Sequence, residues 1–137
     1  MTSSARLQAL RVALVAIGVI SIVGVYPLIL VWPSGWRWQP NQSEYEQMIV
    51  GIYATLGVFL IIAARDPMRH LSLIWFTIVS SVVHGAIMAA QAAFDRFERC
   101  HFIGDIPTLF AIAAVLAALT PWRAPEKEGP AAAVPAG

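Results

Sequence analysis

The sequence predicts an all-α protein: an integral membrane four-helix bundle with its N- and C-termini cytoplasmic. Three observations carry that prediction. Of 137 residues, 58% are hydrophobic and 12% charged, whereas a soluble domain carries about 25% charged residues. Mean hydropathy is +0.69. Four apolar stretches, separated by short polar connections, approach or exceed the roughly 20 residues that cross a bilayer as a helix.

The first stretch, Val12 to Trp32, follows Arg6 and Arg11. It is longer than the core of a signal peptide, about 7–15 residues, and no small-x-small cleavage site follows it, so a retained helix is expected. Pro27 should kink that helix; alternatively the helix ends near Tyr26 and the chain re-enters as an interfacial segment. The second stretch, Glu44 to Ala64, opens with Ser43-Glu44-Tyr45-Glu46, the pattern of a capping box. The third, Pro67 to Phe94, begins after Asp66, a capping residue followed by a first-turn proline. The fourth, Ile106 to Leu119, is short unless it begins near Phe102. Gly104-Asp105-Ile106-Pro107 should start it and Pro121 should stop it.

The connection Ala64-Arg65-Asp66-Pro67 is so short that helices two and three are expected to be antiparallel neighbours. A two-plus-two hairpin organisation also fits the pattern. The domain organisation reads as a cytoplasmic N-terminal segment at 1–11, a transmembrane domain at 12–122 and a disordered tail at 123–137, rich in proline, alanine and glycine.

Basic residues set the orientation. Arg6, Arg11, Arg65, Arg69, Arg123 and Lys127 fall on the side of the termini, against Arg37, Arg96 and Arg99 on the other. This favours cytoplasmic termini in a bacterial inner membrane. Trp32, Trp36 and Trp38 then mark the outer interface, and Trp122 the inner one. The net charge of +1 comes with no basic stripe, which argues against nucleic acid as a partner. Cys100 is the only cysteine, so neither an internal disulfide nor a cysteine zinc site can form.

The third helix carries the most informative pattern. Thr77, Ser81, His84, Met88 and Gln91 follow steps of four, three, four and three, and so share one face. Ser80 borders this stripe and Asp95 extends it. Ionisable groups inside a membrane face the bundle interior or a wet cavity, so the stripe should point inward. His84 could be neutral polar glue to another helix, a contribution of about 0.6 kcal/mol. It could equally hold a ligand, move a proton or meet a second subunit.

Glu46, Gln91, Asp95, His101 and Asp105 should gather near the non-cytoplasmic surface. Tyr53, seven residues after Glu46, continues that residue's face, and Gly57 lets another helix approach it. Gly85, Ala89 and Ala93 form a small-residue face on helix three, as do Ala113-Ala117 and Ala114-Ala118 on helix four. Glu46, His101 and Asp105 could together bind a divalent metal. Against that, Glu46 and Asp105 fit helix caps, and His101 fits an exposed loop. His70 and His84 lie about 21 Å apart along one helix and cannot share a haem. No nucleophile–base pair, phosphate loop or Gly-x-Ser-x-Gly is present, and no cofactor is indicated.

The stretch EQMIVGIYATLGVFLIIAARDPMRHLSLIWFTIVSSVVHGAIMAAQA resembles the centre of a bacterial family of small four-helix membrane proteins, known as a domain of unknown function. The flanking VYPLILVWPSGWRW and HFIGDIPTLF extend the resemblance over Leu10 to Pro121. It implies the fold and no specific activity. The layout is also distantly similar to DoxX-like proteins, through Gly51, Gly57 and the Ala64-Arg65-Asp66-Pro67 turn.

Three functions follow as expectations. The first is binding of a small or lipid-like ligand, or an accessory-subunit role, through an interior pocket of His84, Gln91, Glu46, Tyr53, Asp105, Ser81 and Met88. The second is an enzyme acting on a lipid-soluble substrate, with His84 transferring a proton. The third is a structural or oligomer-forming protein. The lipid bilayer is the expected partner in each case, and a homo-oligomer or a larger membrane complex stays open.

Overall fold

The computed structural model describes residues 3–37 and 43–121. Trp38, Trp122, Arg123, Lys127 and the 123–137 tail lie outside that range, as does the Ser43 side chain on which the capping box rests. The described residues form an all-helical structure with four helical runs long and apolar enough to cross a membrane: Ser3–Val31, Glu44–Ala63, Pro67–Phe94 and Arg96–Leu119, here spans one to four. Many of their large apolar side chains, such as Val31, Phe76, Val83 and Ile87, face outward. This is the arrangement expected of a chain solvated by lipid.

Span one is helical from Ser3, well before Val12, and does not end at Tyr26. It comprises α1 (Ser3–Val19), a π-helical turn at Ile20–Gly24 and α2 (Val25–Val31). The π turn lies immediately upstream of Pro27, which cannot donate to the carbonyl four residues before it. A short α3 (Pro33–Trp36) leads into the connection, and α4 (Ser43–Ala63) forms span two. Span three is a 3₁₀ turn at Pro67–His70 followed by α5 (Leu71–Phe94). Asp66 makes no capping bond there and instead pairs with Arg69 at 3.0 Å.

The fourth apolar stretch resolves its length problem through a 3₁₀ helix, Arg96–Ile103, that runs into α6 (Asp105–Leu119). The end nearest the termini is stapled by Arg6. Its guanidinium donates to the Leu119, Ala118 and Thr120 carbonyls at 3.1, 2.9 and 3.0 Å. These are carbonyls that a helix C-terminus leaves without helical partners, and a cation there also complements the helix dipole. Both ends of the bundle domain therefore sit together.

Packing is uneven around the bundle. Span one packs closely on span two, and span three on span four, while spans two and three touch sparsely. The two-plus-two reading thus describes the packing, with spans two and three adjacent but in sparse contact. At the first crossing, Gly18 and Gly57 face one another. A methyl added at Gly18 would lie 2.7 Å from the Gly57 carbonyl oxygen, so only glycine permits this approach. In the second pair, Gly85 rests against Phe110 and Leu109. Ala92 is buried there, whereas Ala93 faces outward.

Toward the termini, Leu10, Leu14, Leu60, Ile74, Ile78, Ala113 and Leu116 form a closed apolar core. Toward the opposite end the core is thinner, made of Met88, Ala92, Ile106 and Leu109 with Tyr53 and Ala89 against it.

Candidate functional site

Above the closed core, the bundle opens into a half-enclosed cavity of about 490 Å³. Ile20, Val25, Ile29, Ile49 and Ile112 supply apolar wall on spans one, two and four. Of the seven residues expected at a pocket, His84, Gln91, Glu46, Tyr53, Asp105 and Met88 line this space. Ser81 does not: it is buried one turn below.

The polar stripe on span three therefore divides. Thr77 is buried in the closed half and donates to its own helix at the Leu73 carbonyl, 2.9 Å away. Ser80 likewise bonds the Thr77 carbonyl. Such internal bonds satisfy a hydroxyl without calling on another helix. One turn higher, His84 reaches across to span two, where its Nδ1 lies 2.8 Å from the Tyr53 hydroxyl. The two rings lie nearly parallel, with an interplanar angle of 19°. This bond bridges the two spans that otherwise touch sparsely, and both of its residues remain on the cavity wall.

The end away from the termini is built from two connections, one through α3 and one through the 3₁₀ helix Arg96–Ile103. Gly104, at the start of α6, sits directly against the backbone of Gly35 in α3, and side chains larger than hydrogen would separate the two. This docking sets Trp36 and Arg37 over the cavity. Arg37 Nε approaches Glu46 Oε1 at 3.4 Å, so a cation engages this carboxylate. Trp36 was expected at the lipid interface. It turns inward, and its buried indole Nε1 makes no hydrogen bond within the described protein.

Beside the cavity lies a cluster of which the sequence pointed to His101 and Asp105 but not to Glu98. His101, 1% exposed, sits between two carboxylates. Its Nε2 is 3.0 Å from Glu98 Oε2, close without the alignment of a hydrogen bond, and its Nδ1 is hydrogen-bonded to Asp105 Oδ1 at 2.9 Å. His101 is thus no exposed loop residue, and Asp105 is the first residue of α6, with Gly104 at the N-cap position. The spacing Glu98-x-x-His101-x-x-x-Asp105 places all three on one helical face. Among the described residues, no three His, Cys, Asp or Glu side chains converge to hold a metal ion, and Glu46 is separate from His101. Both imidazole nitrogens face carboxylates at 3.0 and 2.9 Å.

The four membrane-crossing helices and this loop-end architecture define a small helical membrane protein. The chain belongs to a family of unknown function, DUF6632, whose model matches residues 4–131. No curated protein and no solved structure matches it, so the DoxX likeness rests on sequence layout alone.

Proposed function

We propose that this membrane protein binds a small lipid-soluble molecule in the cavity between its four spans. One observation carries the reading: the polar half-stripe of span three and groups from the other spans border a single half-enclosed space of about 490 Å³. Ligand sites typically occupy about 300–1,000 Å³ and combine mostly apolar walls with a few placed polar groups. His84, Tyr53, Met88, Gln91, Glu46 and Asp105 are the candidate contacts. The lysine and arginine bias supports an inner-membrane orientation with both termini in the cytoplasm.

Mass spectrometry of protein purified from native membrane tests this. A lipid-soluble molecule should co-purify in stoichiometric amount with the wild type. It should be lost from His84→Ala, while that variant still assembles. Retention of the same molecule by His84→Ala would remove His84 from the site, and absence of any such molecule from the wild type would count against the reading.

A second reading draws on the Tyr53–His84 pair. A phenol and an imidazole in contact, with Asp105 on the same cavity, would suit proton transfer to a bound substrate. In that case Tyr53→Phe would leave ligand occupancy intact and stop its chemical conversion in reconstituted vesicles.

A further inference from the structure

The cavity's polar groups point to the chemistry of its occupant. We infer that the ligand is an uncharged amphiphile whose polar end carries hydrogen-bond-accepting oxygen, such as an ester or ketone carbonyl. The inference rests on the ligand-binding reading above and narrows it.

The first argument is charge. Three charged side chains line the cavity: Arg37, Glu46 and Asp105. The Arg37 cation is already answered by Glu46 at 3.4 Å, and Asp105 is held by His101 at 2.9 Å. An anionic headgroup would meet two carboxylates and a cation already engaged. Burying it there without a partner carries a large desolvation cost.

The second argument is the kind of polar atom on offer. Trp36 Nε1–H is a donor only, buried on the cavity wall with no protein acceptor among the described residues. The Tyr53 hydroxyl and His84 Nδ1 already satisfy one another at 2.8 Å. A buried donor asks for an acceptor, which an alkylammonium headgroup lacks. Gln91 sits about 10 Å nearer the loop end than His84 on the same helix, so the polar stations lie at different depths with apolar wall between them. An acceptor-bearing head on an apolar body matches that layout. The sparse contact between spans two and three gives such a molecule a route from the bilayer without crossing the polar end.

The test compares three probes with matched chains: methyl laurate, laurate at a pH where it is ionised, and dodecylammonium. Each is titrated into full-length protein in lipid nanodiscs and read by native mass spectrometry. Methyl laurate should give a saturable one-to-one adduct, with both charged probes at least about tenfold weaker. Trp36→Phe keeps an aromatic ring but removes the N–H, and should weaken the ester by about three- to tenfold. Either charged probe binding as tightly as the ester would overturn the ligand class while leaving the cavity a binding site. If none of the three forms a saturable adduct, the ligand class fails; if no molecule co-purifies from native membrane either, the binding reading fails with it.

Discussion

The two halves of this bundle use the same helices for opposite ends. Toward the termini, leucines and isoleucines from all four spans close into a dry core, and the polar side chains of span three turn back onto their own backbone. Toward the other end, the same stripe continues as His84, Met88 and Gln91 around an open space. A polar residue in a membrane helix is thus not informative by itself. What separates Thr77 from His84 is whether its hydrogen bond stays inside the helix or crosses to a neighbour beside a cavity.

The contrast can be broken most severely at the Gly18–Gly57 crossing. Gly57→Leu forces two backbones apart and should cost about 3 kcal/mol or more, read as loss of the folded bundle in a denaturant titration in micelles. A variant of near wild-type stability would mean that the crossing is loose. Next in size is His101→Ala, which leaves Glu98 and Asp105 without the imidazole between them. Leaving a buried polar group without its partner costs about 1–3 kcal/mol, and more for a charged one; a change below about 1 kcal/mol would show that this end tolerates carboxylates without the imidazole.

A paired substitution then compares the halves directly. Leu14→Ala in the closed core should destabilise by about 2–5 kcal/mol, while Ile49→Ala on the cavity wall should stay within about 0.5 kcal/mol. Equal losses would erase the distinction between the halves. The smallest effect is expected at the bridge. Tyr53→Phe removes one interhelical hydrogen bond, about 0.6 kcal/mol in membrane bundles. A double-mutant cycle with His84→Ala measures that coupling, and zero coupling would dissolve the bridge between spans two and three.

The bundle and the inward stripe were legible because both are periodic: apolar runs of bilayer length and steps of three and four. Of the cavity residues, His84, Met88 and Gln91 followed from that periodicity. Ser81 did not, because one turn along a helix separates closed packing from cavity wall and spacing alone carries no depth. The loop end was opaque for a different reason. Glu98 and the inward turn of Trp36 depend on Gly35 meeting Gly104, a contact between residues far apart in the chain. Close pairing of spans two and three was expected from a short turn, but such a turn fixes direction and proximity at one end only.

The π turn at Ile20–Gly24 has a rotational consequence. Leu10, Leu14, Gly18, Ser21 and Ile29 are all buried, yet nineteen residues of regular helix would swing Ile29 about 100° away from Leu10. A π turn admits one extra residue into the winding, which turns the downstream helix back by about the same angle. Span one therefore works as a geared shaft. Its single wide turn keeps the face that seals the closed half in phase with the face that walls the cavity. Shortening the chain by one residue there would restore regular winding, about five whole turns from Leu10, and leave Ile29 aligned with Leu10 and Leu14.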